Sequence, residues 1–492
     1  MKYILSIDQG TTGSRAILYN KKGAKIASSY QEFPQYFPKP GWVEHNPDEI
    51  WKSVNSSIQK VLTKVKNAEI LAIGMTNQRE TTVVWNRDTD KPVHNAIVWQ
   101  CRRTSSRCDQ LNKKKGSSTV FKKKTGLPID AYFSATKIEW ILKNVKGAKE
   151  KARQGKLLFG TTDSWILWKL TGGASHATDY TNASRTMIFN INDLKWDDEL
   201  LRTFGIPKKM LPVVQSSSSV FGHTIKLGKL KSGIPISGIA GDQQAALFGQ
   251  TCFSEGTIKN TYGTGSFVLL NTGNKRPSSK HGLITTICCG KKGEPVYALE
   301  GAIFIAGAAI QWLRDGLGII NSAKETKKMA ESLKSNDGVY FVPALVGLGA
   351  PHWDQDARGT IVGLTRGTKK EHLVRAAIEA MCYQTKDVID AMEKDTGLKI
   401  NNLKIDGGAV ANDFLCQFQA DILGIDIIRP KTIETTSLGA AYLAGLVVGY
   451  WKNSDEIKKC WSKDKIFKPR MKRKDALEFY SGWKKAVSRT LT

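Results

Sequence analysis

A turn of small polar residues joins two apolar runs near the start of the chain, and it limits the possible folds more than any other feature. The stretch is IDQGTTGSRAIL, residues 7–18. YILSI before the turn and RAILY after it read as short strands, and NKKG then turns the chain into AKIASSY. The turn therefore sits inside an antiparallel meander. Glycine lets a backbone approach a phosphate closely, and successive N–H groups in such a turn form a concave anion site. A P-loop would carry a lysine and run straight into a helix; this turn does neither.

The next segment, NPDEIWKSVNSSIQKVLTKV, has a helix-start signature, with Asn46 as cap, Pro47 in the first turn and Glu49 three residues beyond the cap. Ile50, Val54, Ile58, Leu62 and Val65 keep helical spacing. EILAIGM and NAIVWQ read as strands, with TNQRETT as a polar connection. Beyond residue 250 the order begins again. GTIKNTY, the turn GTGS, FVLLN, LITTICC, the turn GKKGE and PVYALEG read as a second meander, followed by a helical AGAAIQWLRDGL. A third glycine-rich turn, in LKIDGGAVANDFL, closes a strand at Asp406-Gly407-Gly408 and precedes a helix starting near Asn412. Each turn alone reads equally well as an ordinary connection. Together they predict a nucleotide held in a cleft between two lobes of an α/β protein. At 492 residues the chain is too long for one core, and FGQTCFSEG places the hinge near residue 250, giving domains 1–250 and 251–492.

Composition narrows the partners. Hydrophobic residues make up 41% of the chain and the longest apolar tract, Ser437 to Trp451, is too short to cross a bilayer. No leader-like segment follows Met1, so a cytoplasmic protein without a membrane span is expected. The eight cysteines match neither a zinc ligand set nor a disulfide framework. A net charge of +28 is compatible with a polyanion partner, but the lysines gather in loop-like runs such as NKKKG, FKKKTG and KPRMKRK without interleaved aromatics. No nucleic-acid partner is expected.

Long runs carry a resemblance: KPGWVEHNP, GMTNQRETT, NAIVWQCRR, TDYTNASRTM, ISGIAGDQQAALFGQ, KNTYGTGSF, ALEGAIFIAGAAIQWLRD, GLGAPHWD and DGGAVANDFLCQFQADILG. Through them the chain, from Tyr3 to about Tyr450, resembles the glycerol kinases of the FGGY carbohydrate kinase family, within the actin, Hsp70 and hexokinase superfamily. The resemblance implies two ribonuclease-H-like, actin-like ATPase domains with ATP and Mg2+ in the cleft between them. It implies phosphorylation of glycerol to sn-glycerol 3-phosphate in glycerol catabolism, by a homodimer or homotetramer.

Carried over position by position, the resemblance makes Asp242 the general base, where its place between a strand and a helix equally suits an N-cap. Gln243 beside it contacts the same substrate. Arg79 and Glu80, otherwise a surface turn, grip the polyol hydroxyls with Tyr132, while Trp99 and Phe267, otherwise core aromatics, press on its carbons. Thr11, Thr12, Gly13 and Arg15 meet the terminal phosphates, with Thr264 opposite. Gly307, Gln311, Gly408 and Asn412 enclose the ADP portion, and Asp8 holds the Mg2+ through water.

The departures concern regulation. In IKLGKLKSG, Gly233 stands where the members controlled by fructose 1,6-bisphosphate carry an arginine, and the loop has no histidine. Lys226, Lys229 and Lys231 stay available to another anion. The basic C-terminal KPRMKRKD departs as well. Two alternatives stay open, a kinase of another polyol or sugar and a nucleotide switch without kinase activity. The first would change the set Arg79, Glu80, Tyr132 and Gln243; the second needs no base at Asp242.

Overall fold

The computed structural model describes residues 1–492, organised around two large mixed sheets. The first contains β1 (Lys2–Gln9), β2 (Gly13–Tyr19), β3 (Lys25–Glu32), β4 (Glu69–Asn77), β5 (Ser218–His223) and β6 (Pro235–Gly241), in the order β5-β6-β4-β1-β2-β3. The second contains β7 (Ile258–Tyr262), β8 (Ser266–Gly273), β9 (Ile284–Cys289), β10 (Pro295–Ile303), β11 (Asn402–Asp406), β12 (Asp426–Pro430) and β13 (Lys463–Phe467), in the order β9-β10-β8-β7-β11-β12-β13. With β9 set aside, β10-β8-β7-β11-β12 repeats β3-β2-β1-β4-β6, antiparallel through the first three strands and parallel through the last three. This is the expected ribonuclease-H-like arrangement, present twice.

The expected second meander is interrupted. β10 pairs directly with β8, and β9 lies outside it at the sheet edge. An edge strand needs partners for its free backbone groups, and here the first lobe supplies one. Thr285 N donates to Gly126 O (3.1 Å), and Ile284 joins a buried cluster with Phe121, Leu127 and Phe133.

Helices complete the layers: α1 (Pro47–Lys64), α2 (Asp242–Gly249), α3 (Lys370–Thr396), α4 (Asp413–Leu423) and α5 (Thr435–Val447). In α1 the Asn46 side chain accepts from Asp48 N (2.9 Å), and Ile50, Val54 and Ile58 are buried, as their spacing predicts. α3 runs through the second lobe's core with Tyr383 and Met392. α5 follows the second-lobe strands β11 and β12 in sequence yet packs on the first sheet, where Leu438, Ala441 and Leu443 meet Ile4, Ile17 and Ala72. Glycines permit this approach. A methyl group at Gly439 would come 1.8 Å from Ala245 O on α2, and one at Gly74 would come 2.1 Å from Ala440 O.

The lobes are also fastened by buried charge. Glu300, on β10, accepts from Arg79 Nη1 (2.5 Å) and Nη2 (3.0 Å), just beyond β4. Its Oε1 also accepts from Arg185 Nη2 (2.9 Å), and Arg185 Nε donates to Glu80 Oε1 (2.6 Å). Burial alone would raise the Glu300 pKa, but Arg185 and Arg79 overcome it and hold the carboxyl at about 2.

Two substitutions test these fastenings by urea unfolding. Gly439→Ala forces α5 off α2 and is expected to cost about 1–3 kcal/mol; an unchanged midpoint would mean the contact yields freely. Glu300→Gln removes the carboxylate that both buried guanidiniums share, leaving Arg185 with Glu80 and Arg79 with Glu80 and the part-exposed Asp242, and is expected to cost about 3–5 kcal/mol. Since the folded pKa of Glu300 lies below its ordinary value of 4.5, its contribution is complete above that value and fades as pH falls towards 2. The wild-type and Glu300→Gln stabilities should therefore converge on acidification, and a gap constant with pH contradicts the assignment.

Candidate active site

β4 ends at Asn77, and the chain then turns on a single residue. Thr81 N donates to Arg79 O (2.7 Å) around Glu80, whose φ is +61°. This is the pattern of the rare γ-turn with positive central φ, and left-handed backbone at a residue with a Cβ costs about 1–2 kcal/mol. Ser134 Oγ and Thr82 Oγ1 secure the turn by donating to Glu80 O (2.9 and 3.1 Å). The result places a guanidinium and a carboxylate side by side.

β6 passes into α2 without a loop. Gly241 is the helix cap and Asp242 the first helical residue, so Asp242 is not the N-cap itself. Asp242 Oδ1 accepts from Gln243 N (2.8 Å) and lies 3.1 Å from Arg79 Nε, while Gln243 Nε2 donates to Oδ2 (3.1 Å). Gly241 makes room for this arrangement, since a methyl there would come within 2.8 Å of Arg79 Cγ and Cδ. The side chains of Arg79, Glu80, Arg185 and Glu300 are 0–2% exposed, whereas that of Asp242 is 32% exposed. Two guanidiniums thus face three carboxylates, of which only that of Asp242 opens to solvent.

Aromatic side chains line the same place. Trp99 and Tyr132 meet edge to face at 5.7 Å, Arg185 lies 5.6 Å from the Tyr132 ring, and Arg79 lies 5.7 Å from that of Phe267. The Tyr132 backbone is pinned at both ends, its N–H donating to Asp130 Oδ1 (2.7 Å) and its carbonyl accepting from the buried Lys137 (2.5 Å). Trp99 Nε1 donates to Thr11 Oγ1 (3.0 Å), so this wall touches the first glycine-rich turn.

That turn joins β1 to β2, with Gly10 N donating to Gly13 O (2.9 Å) and Thr12 exposed. Arg15 Nη1 donates to Glu434 Oε1 (2.8 Å), just before α5, and the guanidinium lies 5.4 Å from the Tyr30 ring. Burial pushes the Asp8 carboxyl up to about 6; Arg15 opposes the rise, while Asp242 and Glu434 add to it. No three His, Cys, Asp or Glu side chains converge as a metal cage. A single carboxylate short of positive charge suits Mg2+, which keeps several waters and takes phosphate oxygens as ligands.

The second turn mirrors the first. It joins β7 to β8, with Gly263 N donating to Gly265 O (2.9 Å). Its carbonyls cap the short helix Gly307–Gln311, Gly263 O accepting from Gly307 N (3.0 Å) and Thr264 O from Ala308 N (3.0 Å). Gly307 is a close-approach residue, 2.6 Å from Gly263 O if it bore a methyl, while Thr264 and Gln311 are exposed. At the third turn Gly407, with φ +92°, abuts Tyr262 O, and Gly408 beside it faces open space. Asn412 caps α4, its side chain accepting from Phe414 N (3.0 Å) and Leu415 N (3.4 Å).

Asp8, Thr11, Arg15, Arg79, Glu80, Trp99, Tyr132, Asp242, Gln243 and Phe267 therefore form one linked group. Thr264 with Gly307, and Gly408 with Asn412, line the neighbouring turns; Gln311 stands further out on its helix. Sequence reasoning missed Arg185, Glu300 and Lys259, whose Nζ donates to Gln243 Oε1 (2.6 Å). For Glu300 the available signal was a lone charge inside an apolar strand, YALEGAIF; Lys259 sits in the more polar strand IKNTY and Arg185 follows a short helix, where no such signal exists.

Comparison with known proteins identifies the family and agrees with the fold. The FGGY family of carbohydrate kinases matches through its N-terminal domain over residues 3–249 and its C-terminal domain over residues 258–447. A glycerol kinase of Bacillus cereus is 59% identical over 491 residues, covering 99% of both chains. The crystal structure of Plasmodium falciparum glycerol kinase with ADP superposes with a TM-score of 0.91 at 39% identity, covering 100% of this chain and 99% of that one. A ligand-bound xylulose kinase from Lactobacillus acidophilus gives 0.88 at 25% identity, covering 99% and 97%. With two repeated ribonuclease-H-like sheets, a polar site between them and matches along nearly its whole length, this chain belongs to the FGGY family of carbohydrate kinases, in its glycerol kinase branch.

Proposed function

We propose that this enzyme transfers the γ-phosphoryl group of ATP to glycerol, giving sn-glycerol 3-phosphate and ADP in the cytoplasm. The observation that carries the reading is Asp242, the one carboxylate of the cluster with appreciable exposure, set beside the nearly buried Arg79 and Glu80. A hydroxyl entering beside it meets an acceptor for its proton and, from Arg79, a neighbouring cation. Arg79, Glu80, Tyr132 and Gln243 read the hydroxyls of the triol, and Trp99 and Phe267 bound its carbons. As the hydroxyl oxygen bonds to the γ-phosphorus, the bond to the β–γ bridging oxygen breaks, ADP leaves and the proton passes to Asp242. A positioned base of this kind contributes about 10²–10⁴-fold; alignment and charge neutralisation supply most of the rest.

In this reading residues 1–250 hold the polyol and 251–492 most of the nucleotide. Thr11, Thr12, Gly13 and Arg15 hold the terminal phosphates with Thr264. Gly307, Gln311, Gly408 and Asn412 surround the ADP portion, and Asp8 holds Mg2+, which supplies positive charge to the phosphates. Arg15 is already tied to Glu434, so it offers phosphate only its remaining N–H groups. That division explains how the turn can work without a P-loop lysine.

A coupled ADP-release assay over glycerol, erythritol, xylulose and gluconate tests the substrate, with glycerol expected to give the highest kcat/KM. Preference for another acceptor, or no transfer to any of them, overturns the choice. Asp242→Asn is expected to lower kcat by roughly a hundredfold or more with ATP affinity little changed. Near-normal turnover would remove Asp242 from the base role.

A further inference from the structure

Lys259 lies on β7 in the second lobe, yet its side chain reaches the start of α2 in the first. The residue is fully buried, and its ammonium donates to Gln243 Oε1 (2.6 Å), Thr261 Oγ1 (2.8 Å) and Phe267 O (3.2 Å), which uses all three N–H groups. We infer that Lys259 is a positioning residue, fixing the Gln243 amide so that its NH2 group faces the Asp242 carboxylate.

Which end of a glutamine amide is oxygen is ordinarily an assignment. Here the neighbours decide it. An ammonium carries donors only, and an ionised carboxylate accepts only. The amide lies between them, with Oε1 towards Lys259 and Nε2 3.1 Å from Asp242 Oδ2. A flipped amide would set a carbonyl against the carboxylate and an NH2 group against the ammonium, two repulsions in place of two bonds. Burial draws the Lys259 pKa down to about 8, while Asp406 and Asp242 raise it, so the side chain is still mainly charged at neutral pH. With Gln243 N and Arg79 Nε on Oδ1, the second lobe thus helps set the direction in which Asp242 accepts a proton. Docking of the lobes and aim of the base become one event.

This inference rests on Asp242 acting as the base, and steady-state kinetics with glycerol separate the two. If the wild-type enzyme turns over glycerol but Asp242→Asn does so equally well, the reading of Asp242 falls, and Lys259 loses its role with it. Given a functional Asp242, Gln243→Met is expected to lower kcat roughly tenfold or more through loss of alignment. Gln243→Glu should fall as far, although it keeps an ionic partner for Lys259, because it offers no donor to Asp242. Lys259→Met should lower kcat with KM for ATP unchanged, and the double variant Lys259→Met/Gln243→Met should be no slower than Gln243→Met alone. Wild-type kcat in Gln243→Glu would mean that Gln243 merely satisfies a buried lysine, and multiplicative losses in the double variant would mean that Lys259 acts elsewhere; either overturns the inference. If Lys259→Met does not fold, the comparison of Gln243→Glu with Gln243→Met decides alone.

Discussion

The bidentate pair between Arg79 and Glu300 is the interaction on which the site depends. An unpaired charge in the interior would cost several kcal/mol, so losing either partner leaves the remaining buried charges poorly compensated. Glu300 belongs to the second sheet and Arg79 to the end of a first-sheet strand, so the pair is satisfied only when both lobes are in place. Arg185 and Glu80 extend the same constraint to the residue whose backbone is strained. Apolar residues of similar volume could fill this space with equal stability. They could not keep a guanidinium beside an open carboxylate, the pairing that the proposed recognition of a small triol uses.

The repeated topology explains why the polar residues collect between the sheets. In both lobes the central strand, β1 or β7, runs into a glycine-rich turn, and the parallel neighbour, β4 or β11, ends beside it in a polar residue, Asn77 or Asp406. The copies then diverge. In the first lobe the residues after Asn77 form the tight turn at Glu80; in the second, Asp406 accepts from Thr435 Oγ1 and Gln250 Nε2, both 2.7 Å away, and so anchors the start of α5. One copy carries the tight turn that sets Arg79 beside Asp242, and the other holds the start of the helix that packs on the first sheet.

What was legible in the sequence was local. The first turn could be placed inside a hairpin because strand, turn and strand are contiguous, and α1 because its cap and its apolar spacing lie within one segment. Asp242 could be placed at a strand-to-helix junction for the same reason. β9 was misplaced because pairing of β10 with β8 depends on what covers the sheet edge, and Gly126 and Phe121 lie far away in sequence. The same limit hid Glu300, which is 221 residues from Arg79, and the packing of α5 on the first sheet, where Ser437 bonds to Ser6 across 431 residues. A lone charge in an apolar strand shows that a partner must exist without showing which.

Charge around the nucleotide side follows a different logic from charge in the buried network. At Asp8, Asp242 and Glu434 add to the rise that burial causes, and Arg15 is the cation that offsets them. Arg15 is itself engaged by Glu434, and so is Lys25, whose Nζ lies 3.3 Å from Glu434 Oε2. If the first turn holds a polyphosphate, as proposed, it would offer backbone N–H groups and hydroxyls, because Arg15 and Lys25 are both tied to Glu434. A P-loop lysine would bring a permanent positive charge. In the proposed reading a nucleotide would bring its own cation to Asp8, whose carboxyl is raised by burial and by its acidic neighbours. The net charge of +28 is no substitute, because exposed lysines act through water and are screened beyond about 8 Å at physiological ionic strength. They can draw an anion towards the molecule, but neutralisation at the point of transfer depends on the few groups held between the sheets.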